Sequence, residues 1–406
     1  MCFFYNFKIP PYINYCMDIL TGSGFKAYLV GGCVRDFLLG IIPHDYDIAS
    51  SALPEDIAML FKKTVFTGLK FGTVQVIIDS SQIDTLTKNE KFTVEITTLR
   101  KDGDYYDFRH PDKIYPTNNI AEDLSRRDFT INAMAYSKHD GLIDPFNGVN
   151  DLNQQLIKLV GNSHDRFYED PLRILRAFRF SSALNFNIED KTLNAALDLS
   201  PLLKKISLER ITAELLKTLS SKMPSRLSIL IYYDALNFLN INPVKDIKIL
   251  DKLNNNSLIR LTALIILSDS SPQKVCSVLK LSSRQKSTVL SLFEIMQISL
   301  PKTKFKVKHL LNNFGADIFI KYLHLNEILY NHDISIAKNL FDRVILNNEP
   351  FKLTSLDING YDLISAGISN KKDFSFIFSK LLRYIMYKPE WNNKNILLNL
   401  VKKFYN

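Results

Sequence analysis

Residues Leu29–Ile48 read LVGGCVRDFLLGIIPHDYDI, and this stretch decides the fold. The apolar run Phe25–Val34 reaches Gly31 and Gly32, the pattern of a buried strand that turns sharply, and a helical pattern follows through Leu39 to Gly40. Two glycines let backbone N–H groups approach a ligand closely, and the helix N-terminus then offers them to an anion such as a triphosphate. Next come Asp45 and Asp47. At i and i+2 on a strand they share one face, and a divalent cation is the common reason to tolerate such a pair. Mg²⁺ is usually held by one or two carboxylates together with substrate phosphates. Taken alone, the glycines describe a tight turn and the aspartates a capped loop. Glu95 adds weight: it stands in the β-branched run Val94–Thr98, where an acid facing the core needs a partner. Three carboxylates on adjacent strands can hold two ions about 4 Å apart for nucleotidyl transfer. The alternative is an edge strand with Glu95 turned to solvent.

Outward from this stretch the chain divides in two. Thr73–Ile78 and Thr93–Thr98 have strand composition, with helical patterns at Pro54–Lys62 and Asp123–Met134, so the first part is a mixed α/β domain. From about Ser163 long Leu/Ile patterns at helical spacing dominate, at Arg166–Leu184, Leu208–Leu219, Leu258–Leu267, Ser282–Gln297, Ile318–Tyr330 and Ile396–Phe404. Residues 1–160 hold 16 Lys and Arg against 20 Asp and Glu, whereas residues 161–406 hold 35 against 22. An acidic part joined to a basic one suggests a metal-using site and a polyanion-holding arm, set against a merely solvated basic surface. The chain has 406 residues, 46% hydrophobic and 23% charged, which excludes wholesale disorder. No apolar run approaches the roughly 20 residues a membrane span needs, and the aromatic start, broken by Pro10 and Pro11, is a poor signal peptide. Cys2, Cys16, Cys33 and Cys276 are scattered without a CxxC pair, which suggests a reducing, cytoplasmic setting.

Further motifs follow in order: Arg126-Arg127-Asp128-Phe129-Thr130-Ile131-Asn132, Ile143-Asp144-Pro145-Phe146, Glu169-Asp170-x-x-Arg173-x-x-Arg176-x-x-Arg179 and Ser207-x-Glu209-Arg210. Together with Leu29–Ile48 they resemble the class II tRNA nucleotidyltransferase and bacterial poly(A) polymerase family, over about residues 25–220. The resemblance implies an α/β head related to the polymerase β palm (residues 1–160). A helical neck with a nucleobase-template helix (161–220), a helical body (221–300) and a tRNA-binding helical tail (301–406) would follow. It implies Mg²⁺ on Asp45 and Asp47, with Glu95 the third catalytic carboxylate. Gly32, Arg35 and Arg127 would contact the nucleotide's phosphates and sugar, and Asp170, Arg173, Arg176 and Arg179 would line the base pocket. The implied activity is CCA addition to the tRNA 3′ end from CTP and ATP, with no membrane or obligate protein partner. Poly(A) addition is the near alternative and a catalytically inactive RNA-binding factor the distant one. In this family a flexible segment before RRDFT is linked with A addition, and Arg100–Asn119 fills that interval.

The base pocket has a reading of its own. Cytosine and adenine both present an amino donor beside a ring-nitrogen acceptor, and an Asp acceptor beside an Arg donor matches that edge. Uracil and guanine present the reverse and meet like groups. The competing reading is a plain ion-pair ladder along one helix. Four His-Asp pairs, at His44, His139, His164 and His332, offer too few ligands at useful spacing for a metal phosphohydrolase. Lys302, Lys304, Lys306 and Lys308 alternate with Thr303, Phe305 and Val307, as a phosphate-tracking strip or a solvated loop ahead of a helix after His309.

Overall fold

The computed structural model describes residues 7–405 apart from 69–71, 84–89, 104, 106, 107, 109, 110, 245 and 369. Two compact units result, Met1–Phe238 and Leu239–Asn406.

The first unit is built on strands β1 (Ala27–Val30), β2 (Asp47–Ser50), β3 (Thr64–Gly68), β4 (Thr73–Asp79) and β5 (Lys91–Thr98). Then come β6 (Arg100–Asp102), β7 (Ile114–Pro116), β8 (Ala135–Ser137) and β9 (Gly141–Ile143). Seven of them form one sheet in the order β3-β4-β5-β2-β1-β8-β9, while β6 and β7 make a separate ribbon. Within the large sheet β2 and β5 run parallel, and the other neighbours are antiparallel. The parallel step needs a crossover, supplied by the helix Pro54–Leu60 and the β3–β4 hairpin. Alternation along the strands sorts the residues: Val74, Val76, Val94 and Ile96 are fully buried with Leu29 and Ile48 against helix Pro11–Gly22. Glu95, between Val94 and Ile96, therefore points to the opposite face. β5 lies inside the sheet, not at its edge, and Glu95 is nonetheless exposed to solvent. A second core of Tyr28, Val30, Ala49, Leu124 and Ala133 also packs in this unit.

Three expectations are corrected here. The segment 123–134 is not one helix: a helix ends at Ser125, and a short 3₁₀ turn covers Thr130–Asn132. Between them Phe129 bridges to Leu159, and the Thr130 N–H donates to the Lys158 carbonyl at 2.9 Å, so tertiary pairing overrides the helical pattern. Arg166–Leu184 is likewise two helices, Ser163–Glu169 and Leu172–Leu184, parted at Asp170 (φ −142°, ψ 95°) and Pro171. Proline lacks an N–H and pushes the preceding residue to extended geometry. Asp45 lies just ahead of β2 rather than on it, so the two aspartates are not a strand pair.

The second unit is helical, with long helices at Ser257–Leu267, Ser283–Met296, Phe374–Tyr387 and Lys394–Tyr405, and two more in Lys304–Tyr330 that part at Gly315 (φ 79°, ψ 164°). Leu363, Ile377, Leu381, Ile385, Leu397 and Val401 form one of its cores. The alternating lysines are not one loop: only Lys302 lies ahead of the helix. A helix starts at Lys304, capped by the Thr303 side chain, so Lys304 and Lys308 fall one turn apart on one face. Both pair with Glu349, and Lys308 is buried. Among the described residues no helix is long and apolar enough to cross a membrane, and Cys16, Cys33 and Cys276 are free thiols. Residues 104, 106, 107, 109 and 110 of the expected mobile segment, and Cys2, lie outside the described residues.

Candidate active site

Two cavities meet at the start of β2 and share one residue, Asp47. The first, about 410 Å³, is walled by Gly31, Gly32 and Arg35, by Arg127, Asp128 and Asn132, and by Asp170, Arg173, Arg176 and Phe180. The second, about 480 Å³, gathers Asp45, Asp47 and Glu95 with Tyr12, His44 and Gln75. The first cavity holds four guanidiniums beside three carboxylates, and the second three carboxylates and no guanidinium. Asp47 stands between them.

Sheet register makes the acidic side. Asp47 pairs with Glu95 across β2 and β5, and Glu95 pairs with Gln75 across β4 and β5. The Gln75 amide donates to Glu95 Oε1 at 3.0 Å. Loss of hydration lifts the Asp47 carboxyl above its usual range, Arg127 opposes that rise, and the like charges of Glu95 and Asp45 add to it. A divalent cation would relieve the repulsion, and three hard oxygen donors at one cavity suit Mg²⁺. Among the described residues no three His, Cys, Asp or Glu side chains enclose an ion by themselves. An ion completed by substrate phosphates does not need such a cage.

Backbone geometry joins the two sides. Gly31 has φ 76°, the left-handed region that glycine adopts without strain. A Cβ there would meet Arg127 Nη1 at 3.0 Å and lie 3.9 Å from Asp47 Oδ2. The glycine that needs to be glycine is thus Gly31. Gly32 opens the helix Gly32–Leu38, where an added Cβ would make only an ordinary 3.6 Å contact with Arg35.

Every arginine on the basic side is aimed by a partner. Arg127 donates to the buried Asp123 at 3.2 Å, and Arg35 donates to Asn132 Oδ1 at 2.7 Å and to Asp36. Arg176 donates through Nε to Asp128 at 2.9 Å. Burial would raise the Asp128 carboxyl, but Arg176, the Phe129 N–H and Asn132 together pull it down to about 2. Arg173, buried, donates from Nη1 to Glu169 at 2.7 Å and to the Arg166 carbonyl at 2.8 Å. Asp170 accepts from Arg210 at 2.9 Å and from the Leu172 N–H at 3.1 Å. Asp170 and Arg173 line one cavity without pairing to each other: Arg166, Glu169 and Arg173 form a short ion-pair ladder across the break at Asp170 and Pro171, and Asp170 pairs with Arg210. Arg179 is not on the cavity wall. It donates to Glu214 at 2.6 Å and lies 4.0 Å from the centre of the Phe180 ring, on which Arg35 (5.4 Å) and Arg176 (5.5 Å) also converge. Sequence reasoning assigned no role to Asp128, Asn132, Glu169, Phe180 or Glu214. The first three stand inside the quoted motifs, which is the signal that could have found them.

A mixed sheet with carboxylates and a glycine turn at the strand ends, followed by helices carrying braced arginines, defines a nucleotidyltransferase head with a helical extension. Residues 27–158 match the family model of the poly A polymerase head domain, and residues 185–243 that of a probable RNA and SrmB-binding site of polymerase A. The CCA-adding enzyme of Ligilactobacillus salivarius is 36% identical over 413 aligned positions, covering 98% of each chain. That of Enterococcus faecalis is 48% identical over 200 positions, 49% of this chain and 47% of that protein. The crystal structure of the Bacillus stearothermophilus CCA-adding enzyme in complex with CTP superposes with a TM-score of 0.79 at 26% identity, covering 97% of this chain and 98% of that one. The chain belongs to the family of CCA-adding enzymes, and it is an enzyme of the nucleotidyltransferase class.

Proposed function

We propose that this enzyme adds C, C and A to the 3′ end of tRNA from CTP and ATP, in the cytoplasm, and that its own side chains select the base. The observation that carries the reading is the position of Asp47 between a guanidinium-lined cavity and a carboxylate-lined one. A triphosphate fits the first and the attacking RNA 3′ end the second, so the reacting atoms meet at Asp47. Full-length similarity to a CCA-adding enzyme, and a structural likeness to one in complex with CTP, favour this reading over poly(A) addition or an inactive RNA-binding factor.

Asp45 and Asp47 would hold Mg²⁺, with Glu95 the third carboxylate. Bound there as two ions, Mg²⁺ supplies positive charge that lowers the pKa of the attacking hydroxyl and neutralises the pyrophosphate leaving group. The protein's part is orientation. Arg127, Arg35 and the backbone at Gly31 and Gly32 position the phosphates and sugar, and Asn132 and Asp123 keep those guanidiniums from swinging away. A carboxylate accepts about four hydrogen bonds, so Asp170, with two described here, keeps capacity for a base amino group. Arg173 retains N–H groups beyond those given to Glu169 and Arg166 for the ring nitrogen. Arg176 and Phe180 complete the base wall, with Arg179 acting through Phe180 and Glu214.

The head at 1–160, neck at 161–220, body at 221–300 and tail at 301–406 divide the work. The basic excess of residues 161–406 holds the tRNA phosphates, so affinity falls steeply with salt. Incubation with tRNA lacking CCA and labelled CTP and ATP tests the reading. Growth by three residues supports it; growth by A without limit, or none, overturns it.

A further inference from the structure

The second unit carries a cleft of about 490 Å³ that no part of the nucleotidyl-transfer chemistry uses. Its floor is one face of the helix Phe374–Tyr387: Lys380, Arg383, Tyr384 and Tyr387 recur at spacings of three and four residues. The 3₁₀ turn Pro389–Trp391 then folds Trp391 onto the same cleft, with Lys388 Nζ 4.4 Å from the indole centre. Phe305, from the first turn of Lys304–Tyr330, forms the other wall, 5.6 Å from Tyr387. Three cations and four aromatic rings thus line the cleft, and none of its lining residues is acidic. Tyr387 is 74% exposed, and Arg383, also exposed, makes no ion pair or hydrogen bond with any described residue.

A ring as exposed as Tyr387 beside Arg383, which has no described partner, is not accounted for by packing in the core. The ligand that answers both is one with a flat π-face joined to a phosphate. We infer that this cleft holds one unpaired nucleotide of the bound RNA, its base stacked against Trp391 and Tyr387 and its phosphate on Arg383. The inference deepens the tRNA reading and rests on it. It also relocates the polyanion contact of this unit, since Lys304 and Lys308 are spent on Glu349. Stacking on aromatic faces tolerates any base, whereas paired RNA keeps its bases turned inward.

Trp391 is the chain's one tryptophan, so the cleft carries its own reporter. Titration of the full-length enzyme with tRNA is followed both by tryptophan fluorescence and by filter binding, with loop-free duplex RNA and inorganic polyphosphate as controls. The expected result is saturable quenching by tRNA at the concentrations that bind, with little from duplex or polyphosphate. Tyr387→Ala should weaken tRNA binding about 5- to 150-fold, the range for loss of one base–aromatic stack. Arg383→Gln should reduce the log–log salt slope by about 0.7. Both variants should raise KM for tRNA and leave CTP affinity unchanged. Binding without quenching, equal quenching by polyphosphate, or wild-type affinity in both variants would overturn the proposal. If the wild type adds C and A while these signals are absent, the cleft assignment fails and the enzymatic reading stands. If RNA quenches but nothing is incorporated, the reverse holds.

Discussion

Asp47 stands opposite Glu95 in register across the parallel strands β2 and β5, and Asp45 enters the same cavity from the segment just ahead of β2. The sheet's crossover, not the spacing of the two aspartates, sets this arrangement.

Asp45→Ala and Asp47→Ala should each lower incorporation by at least about 10³-fold, with tRNA affinity nearly unchanged. Filter binding alongside single-turnover incorporation measures both. Turnover within tenfold of wild type would remove these residues from the reaction.

Asp47 should also act against stability. Its folded-state pKa is raised, so its contribution is present below the ordinary carboxylate value of 3.8 and is lost as pH rises through the folded value. Without metal at neutral pH, Asp47→Asn should therefore melt above wild type, and the gap should close below pH 3.8. Mg²⁺ should raise the wild-type melting temperature more than the variant's. Melting curves in chelator across this pH range provide the check.

Asp128 has the opposite sign. Its carboxyl is held at about 2, so its stabilisation is complete above 3.8 and is lost as pH falls towards 2. Asp128→Asn should cost about 1.5–3 kcal/mol at pH 7, the range for a hydrogen bond to a charged group. Urea unfolding at pH 7 and near pH 2 should show a difference at the first and almost none at the second.

Gly31→Ala places a Cβ 3.0 Å from Arg127 Nη1 at φ 76°. At φ 76° and ψ −134° the backbone cost is roughly 1–3 kcal/mol, and the guanidinium must move. KM for CTP and ATP should rise together while tRNA affinity holds. Gly32→Ala, with only an ordinary contact, should have the smaller effect in steady-state kinetics.

Much of this site is legible in the chain. Leu29–Ile48 declares strand, turn and helix because each signal is local: β-branched residues, paired glycines and an apolar period. What lies beyond local signals is not legible in that way. Glu95 meets Asp47 only because the chain returns to pair β5 beside β2. The helical pattern of Arg166–Leu184 runs straight through Asp170 and Pro171, yet the break there frees Asp170 to accept from Arg210, 40 residues away. Lys302–Lys308 alternates like a strand, but Thr303 caps a helix and Glu349, far along the chain, claims two of the lysines. The bracing of Arg35, Arg176 and Arg179 is of the same long-range kind, whereas Arg127 and Arg173 are held by acids four residues back.

The central claim is that the protein itself selects C and A through Asp170 and Arg173. Competition among all four nucleoside triphosphates, run on wild type and Asp170→Ala with melting curves to confirm folding, tests it most directly. Removing the acceptor should let UTP or GTP compete, with discrimination reduced by roughly 1–3 kcal/mol, or about 5- to 150-fold in relative kcat/KM. An unchanged preference for C and A in a folded Asp170→Ala enzyme would contradict the account.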